Sequence, residues 1–247
     1  MWSRHELLQY CLNKKVIPDE QFGFIPGRSA EWQLLTTLEN WQVALDKHNY
    51  VHAVFLDAAK AFDRVDHQAL LNTLAQAGVG DTVLSWIASY LSGRLIQTKV
   101  EGSCSPRLPV TSGVTQGSVL GPLLFIIHYS NIPSATKAST ALFADDALLY
   151  RSNCRGTDQT SCCAISKDLH DLECWTVSSN TKMNAAKSVE LVLGPRTSAL
   201  ETFLNGERLQ RVLSQVHLGI TISSLRWKAI LALSSKVSLA KWNCARY

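Results

Sequence analysis

Thr140-Ala-Leu-Phe-Ala-Asp-Asp-Ala-Leu-Leu-Tyr150 decides the fold class of this chain. Its two ends, Thr140 to Phe143 and Ala147 to Tyr150, are apolar and β-prone, and only Ala144-Asp145-Asp146 separates them. Strands joined so closely read as a tight antiparallel hairpin with acids at its tip. A second apolar stretch also ends in an acid: Val51-His-Ala-Val-Phe-Leu56 is followed by Asp57. Carboxylates set among apolar strands are costly unless a cation neutralises them, and no Arg or Lys stands directly beside these in sequence. Mg²⁺ is the hard-cation alternative, since it takes carboxylate oxygens and keeps waters and substrate phosphates as its other ligands. If the Asp57 strand pairs with the hairpin, three carboxylates converge on one sheet edge and could hold two metal ions about 3.5–4 Å apart. On the acids alone, a polar turn at Asp145-Asp146 and a strand-end cap at Asp57 is an equal alternative.

Outward from that core, helices and strands alternate without a βαβ rhythm, which predicts an α+β fold with a largely antiparallel sheet. Arg4 to Leu12 is a short amphipathic helix. Ser29 caps a helix whose Leu34, Leu35, Leu38, Trp41 and Leu45 share one face. Asp66 and Asp81 each cap a helix, the two ending at Gly78 and Gly93. Leu95 to Val100 and Leu108 to Val110 read as strands, Ser118 to Tyr129 as a helix, and Gln159 to Trp175 as another. Val189 to Leu193 is a strand, Asn205-Gly206 turns a small hairpin, and Val216 to Ile222 is a strand leading into a basic helix from Leu225.

With 247 residues, 46% of them apolar and 18% charged, the chain is an ordinary globular protein rather than a disordered one. Its net charge of +4 is unevenly spread. After Glu207 there is no acid, while Arg208, Arg211, Arg226, Lys228, Lys236, Lys241 and Arg246 follow. The tail is a polyanion-binding surface or a solvated helix face, with equal weight on each. Seven scattered cysteines and no secretory segment point to reduced thiols in an intracellular protein, nuclear or cytoplasmic. Cys163, His170 and Cys174 lack the CxxC pair that a zinc site would bring. The longest apolar run, Val119 to Ile127, is interrupted by Gly121 and Pro122 and is too short for a bilayer, so no membrane is expected as partner.

Four further segments fall in order along the chain. They are Gln21-Phe-Gly-Phe-Ile-Pro-Gly-Arg-Ser29, Val54-Phe-Leu-Asp-Ala-Ala-Lys-Ala-Phe-Asp-Arg-Val-Asp-His67, Gly113-Val-Thr-Gln-Gly-Ser-Val-Leu-Gly-Pro-Leu-Leu-Phe125 and Phe143-Ala-Asp-Asp146. Trp175, Asn184 and Lys187 follow, then His217-Leu-Gly219. From Gln21 to about Gly219 this series resembles the reverse transcriptase domain of non-LTR (LINE-type) retrotransposons, and four motifs in order are far more specific than one.

The resemblance implies a right-hand polymerase palm with an antiparallel sheet and packed helices, partial fingers and the start of a thumb. Residues 1–222 would be fingers and palm, and 223–247 the thumb. It implies RNA-directed DNA polymerase activity, by two-metal transfer of a nucleotide from a dNTP to a primer 3′-OH. Asp57, Asp145 and Asp146 become the catalytic and metal-binding acids, with two Mg²⁺ ions, or Mn²⁺ in their place. Ala58, Phe62, Gln116, Gly117 and Lys187 become nucleotide-binding residues, Phe62 excluding a 2′-OH by its flat ring. Arg28, Arg226, Lys228 and Lys236 would contact nucleic acid. The implied partners are an RNA template, a DNA primer, dNTPs and a second chain supplying missing fingers or an endonuclease.

Core packing for Phe62, a plain helix start for Gln116-Gly117 and solvated surface for Lys187 are the competing readings of those residues. The sequence departs from the family pattern at Thr115, which replaces a Pro, at His128-Tyr-Ser-Asn131, and at His217, where a Tyr is usual. Against the family the chain also looks short at both ends, so a catalytically silent, retrotransposon-derived remnant that binds nucleic acid, or is only a folded fragment, is the alternative. A two-metal nuclease shares the carboxylate logic but gives no reason for Phe62 or Gln116.

Overall fold

A computed structural model describes residues 2–153, 158–194 and 201–224, with side chains 153–163 also outside the description. The basic segment from Leu225, with Arg226, Lys228 and Lys236, therefore lies outside the described residues, as does the Cys163 side chain. The chain divides into two compact units. The first is built from residues 1–19, Ala58–Asn131 and Trp175–Lys182; the second from Glu20–Asp57, Ile132–Cys174 and the residues from Met183 onward.

The first unit is helical. Its elements are α1 (Arg4–Asn13) and, after α2 (Ala30–Asp46) of the second unit, α3 (His67–Gln76), α4 (Asp81–Leu91) and α5 (Gly121–Tyr129). Ser3 and Glu6 form a capping box at α1, and the Asp66 carboxylate accepts the Ala69 N–H at 2.7 Å to start α3. Asp81, expected as a cap, is instead the first residue of α4, with Gly80 at the cap position. Nearly all of α5 is buried, as an all-apolar helix must be. It starts at Gly121 rather than Ser118, and the Ser118 hydroxyl accepts the Gly121 N–H at 2.9 Å. The stretch expected as one strand from Leu95 splits into Leu95–Ile96 and Lys99–Val100, each pairing with its own short exposed partner.

The second unit holds a five-stranded sheet. Its strands are β1 (Tyr50–Leu56), β2 (Ser139–Phe143), β3 (Asp146–Asn153), β4 (Val189–Leu193) and β5 (Gln210–Val212). They lie in the order β5-β4-β1-β3-β2, antiparallel except for β5 against β4. The antiparallel-dominated α+β architecture read from the sequence is thus the one observed. β1 is central and buried along its whole length, so it reads as a continuous apolar run rather than an alternating one. Val51, Ala53 and Phe55 pack with Leu38, Trp41 and Ala44 of α2, and with residues of the flanking strands. Each such large side chain contributes roughly 1.5–3 kcal/mol by leaving water.

The opposite face carries a buried polar fastening. His52 Nε2 lies 2.8 Å from Glu190 Oε2, Thr202 donates to the same oxygen at 2.6 Å, and Arg211 Nε donates to Glu190 Oε1 at 2.9 Å. Burial opposes ionisation of Glu190, yet these bonds from His52, Thr202 and Arg211 hold its pKa below the ordinary carboxylate value. One carboxylate thereby ties β1, β4 and β5, which accounts for a parallel edge strand that the sequence pattern does not announce. A further correction concerns residues 216–222: they are not one strand. Ser214–His217 and Ile220–Ser223 form a hairpin, because Leu218 and Gly219 both take positive φ (47° and 80°). No helix of the described residues is long and apolar enough to cross a membrane. Among them Cys11, Cys104 and Cys174 are free thiols.

Candidate active site

The acids meet because of strand register. β1 and β3 pair from Tyr50↔Asn153 to Leu56↔Ala147, so one further step sets Asp57 opposite Asp146. On its other side β1 pairs with β4 up to Phe55↔Val189, where the ladder gives way to the turn at residues 185–187 that carries Lys187. The ends are pinned there: the Asp57 N–H donates to the Ser188 hydroxyl at 3.1 Å and the Asn184 N–H to the Asp57 carbonyl at 2.8 Å. Asp57, Asp146 and Lys187 accordingly line one cleft, together with Phe55, Leu56, Ala147, Gln215, Val216 and His217. Asp145 stands at the tip of the β2–β3 hairpin, exposed beside Asp146.

These acids are electrostatically coupled. Partial desolvation of its carboxyl, then the like charges of Asp145 and Asp57, raise the Asp146 pKa above the ordinary carboxylate value. Among the described residues no group of three His, Cys, Asp or Glu side chains is arranged to hold a metal ion. The donor chemistry nevertheless fits one: a carboxylate such as Asp146, whose ionisation burial and neighbouring carboxylates oppose, is relieved by a hard divalent cation.

The turn that carries Asp145 is held from elsewhere in the chain. Phe143 pairs with Asp146, leaving the two-residue turn Ala144-Asp145, in which Ala144 has φ 56°. An L-residue with a Cβ pays about 1–2 kcal/mol for that left-handed conformation. Gln21, fully buried, supplies the compensation. Its Oε1 accepts the Ala144 N–H at 2.9 Å and the Gly23 N–H at 2.7 Å, and its Nε2 donates to the Ala144 carbonyl at 3.4 Å. The backbone joins in, with Phe22 N–H to Leu142 O and Leu142 N–H to Glu20 O, both at 2.9 Å. The approach at Gly23 is so close that a Cβ there would lie 2.2 Å from the Ala144 nitrogen. Gln21 is the residue that reading for chemistry missed.

His217 forms part of the cleft wall. Its ring meets Phe55 edge-on at 5.2 Å and lies 3.4 Å from the Gln33 amide. Burial pushes its pKa down to about 4, so it is neutral at physiological pH. Arg28 turns onto its own loop: Nη1 donates to the Gln21 carbonyl at 2.5 Å and the guanidinium lies 5.8 Å from the Phe22 ring centre.

The remaining expected residues belong to the helical unit. Ala58 follows Asp57 directly, and Ala59 N–H donates to the Lys182 carbonyl at 2.8 Å. Phe62 opens a 3₁₀ turn, Phe62–Arg64, and is half-buried. Gln116 and Gly117 are exposed in the turn that precedes α5. The structure thus gathers Asp57, Asp145, Asp146 and Lys187 in the sheet unit, and Ala58, Phe62, Gln116 and Gly117 in the helical one.

Comparison with known proteins bears on the family and the fold. The family described as reverse transcriptase (RNA-dependent DNA polymerase) matches residues 4–222. The chain is 31% identical over 239 residues to a probable RNA-directed DNA polymerase from transposon BS of Drosophila melanogaster, covering 90% of this chain and 26% of that protein. It is 30% identical over 217 residues to the RNA-directed DNA polymerase from mobile element jockey of the same species, covering 84% of this chain and 23% of the other. This chain therefore spans about a quarter of the length of these relatives. In fold it is similar to apo telomerase from Candida tropicalis truncated from its C-terminal domain, with a TM-score of 0.61 at 16% identity, over 90% of this chain and 43% of that one. A telomerase from the same species in complex with a fragment of telomeric RNA gives 0.57 at 14% identity, over 76% and 33%.

Proposed function

This chain belongs to the reverse transcriptase (RNA-dependent DNA polymerase) family, and we propose that it carries out the chemistry of that family, adding deoxynucleotides to a DNA primer on an RNA template. The observation that carries the reading is the pairing of β1 with β3 up to Leu56↔Ala147, which brings Asp57 and Asp146 to one cleft that Lys187 also lines. Asp57 and Asp145, with Asp146 beside them, are the residues that would hold Mg²⁺, or Mn²⁺ in its place. When bound, such ions activate an attacking oxygen and stabilise the charge on the transferring phosphoryl group.

The chain's own groups do the rest. Lys187 meets the triphosphate as a point charge and gives a proton to the departing pyrophosphate. Phe62 excludes a sugar 2′-OH by its ring, while Ala58, Gln116 and Gly117 hold the nucleotide through backbone and amide groups. Arg28, Arg226, Lys228 and Lys236 contact the phosphates of primer and template, an interaction that weakens as salt rises. In this reading residues 1–222 are fingers and palm and 223–247 begin a thumb, in a protein acting inside the cell.

Primer extension on an RNA template with Mg²⁺ and dNTPs tests the proposal, on the unaltered chain and on Asp145→Asn. Extension by the first and none by the second, with equal thermal stability, is the expected result. Duplex binding without any extension would mark a silent remnant, and primer degradation without added dNTPs a nuclease.

A further inference from the structure

Phe62 is held on two sides within the helical unit, and by different means. Its backbone is laced to the segment before α5. The Val114 N–H donates to the Phe62 carbonyl at 2.9 Å, the Gly113 N–H to the Val65 carbonyl at 2.8 Å, and the Ser112 hydroxyl to the Asp63 carbonyl at 2.9 Å. The two segments approach so closely at Gly113 that a Cβ there would lie 2.8 Å from the Asp63 Cα. The ring is held by another aromatic. Phe62 stacks on Phe125 with centroids 4.3 Å apart and planes 13° from parallel. Phe125 stacks in turn on Tyr129 at 5.1 Å, and Tyr129 meets Trp175 edge-on at 6.1 Å.

The members of this series differ in exposure. Phe125 and Tyr129 are buried in α5, whereas Phe62 keeps part of its surface in water. Here a fully buried ring acts as the seat of a half-buried one, and near-parallel stacking fixes both the height and the tilt of the upper ring. With the backbone of Phe62 immobilised at Gly113, its side-chain torsions are its remaining freedom, and Phe125 limits them.

We propose that Phe125 is a specificity-determining positioning residue: it holds the Phe62 ring at the height that rejects a ribose 2′-OH. The inference rests on the reading of Phe62 as the surface that meets the nucleotide sugar. Replacing Phe125 by Leu keeps the space apolar but removes the flat seat. Phe62 then sinks toward α5 and leaves room for one hydroxyl, a change of the size that hydrophobic pockets discriminate by roughly 10- to 200-fold.

The test is the ratio of kcat/KM for a deoxynucleotide to that for its ribonucleotide, in single-nucleotide incorporation on an RNA template. It is measured for the unaltered chain, Phe62→Val, Phe125→Leu and Leu124→Val, the last a truncation in the same buried helix away from the stack. Phe62→Val should collapse the ratio. Phe125→Leu should lower it roughly tenfold, mainly through a lower KM for the ribonucleotide, and Leu124→Val should leave it unchanged. Phe125→Met, which fills the space without a flat face, serves if the Leu variant does not fold. For a chain that makes no product, equilibrium binding of dATP and ATP to its complex with primer and template reads the same ratio. An unchanged ratio in both Phe125 variants beside a collapsed one in Phe62→Val overturns this inference alone. An equal drop in Leu124→Val also overturns it, because the effect is then general loosening. No discrimination by the unaltered chain, or none lost in Phe62→Val, overturns the sugar reading of Phe62 and this inference with it.

Discussion

Two tight hairpin turns in the sheet unit are made in opposite ways. Asn205-Gly206 joins Phe203–Leu204 to Glu207–Arg208 with φ of 52° and 76°, which these residue types adopt readily. Its tertiary contacts, such as the Asn205 side-chain amide to the Met183 carbonyl at 3.2 Å, act on a turn that already prefers its shape. Ala144-Asp145 breaks the local rule, since Ala144 occupies a left-handed conformation that Gly or Asn would enter more easily. It is held by Gln21, 123 residues earlier in the chain. The structural turn is specified where it sits. The turn that presents the acid is specified from a distance, so its geometry depends on the fold having formed.

That contrast can be broken most strongly at Gln21. Gln21→Ala leaves the Ala144 and Gly23 N–H groups buried without their acceptor, at about 1–3 kcal/mol each. We expect a stability loss of about 2–4 kcal/mol in urea unfolding, with kcat for primer extension falling more than KM rises. Asn205→Ala should cost about 1–2 kcal/mol and leave turnover unchanged. Equal effects of the two substitutions would erase the distinction.

A smaller effect concerns acidity. His217 in the sheet unit and His128 in the helical unit are each pushed down to about 4, both chiefly by burial. The unfolded chain protonates them near the ordinary value of 6.5, so it binds more protons than the folded chain between the two values. Their contribution is therefore complete above pH 6.5 and is lost as pH falls toward 4. Between pH 7 and pH 6 stability should drop by about 1 kcal/mol, and His217→Gln should flatten part of the profile. The smallest effect should come from Ala144→Gly. Relief of the left-handed conformation is partly offset by the freer unfolded chain, leaving a gain of about 0.5 kcal/mol, which urea unfolding would read.

The legible parts of the sequence are those with local causes. Ser29 and Asp66 cap their helices as expected, the Trp32 N–H donating to Ser29 Oγ at 3.3 Å. The Asn-Gly hairpin lies where its turn residues put it, and the acid hairpin where its two β-prone stretches do. What stayed hidden has distant causes. Leu218 at positive φ folds residues 214–223 back on themselves against its own preference. β5 runs parallel to β4 beside Glu190, a carboxylate that joins Thr202 and Arg211 to His52, 138 residues earlier in the chain. For the site, residue types and spacing indicated Asp57, Asp145, Asp146 and Lys187, but not the Gln21 amide, which contributes through backbone groups that no side-chain motif reveals.

The central claim is that Asp57 and Asp145, 88 positions apart, belong to one cation site assembled by strand register. Mn²⁺ binding followed by electron paramagnetic resonance tests it directly, on the unaltered chain, Asp57→Asn and Asp145→Asn. The unaltered chain is expected to bind Mn²⁺, and each substitution to weaken the same bound population with the fold retained. Undiminished binding in both variants would contradict it.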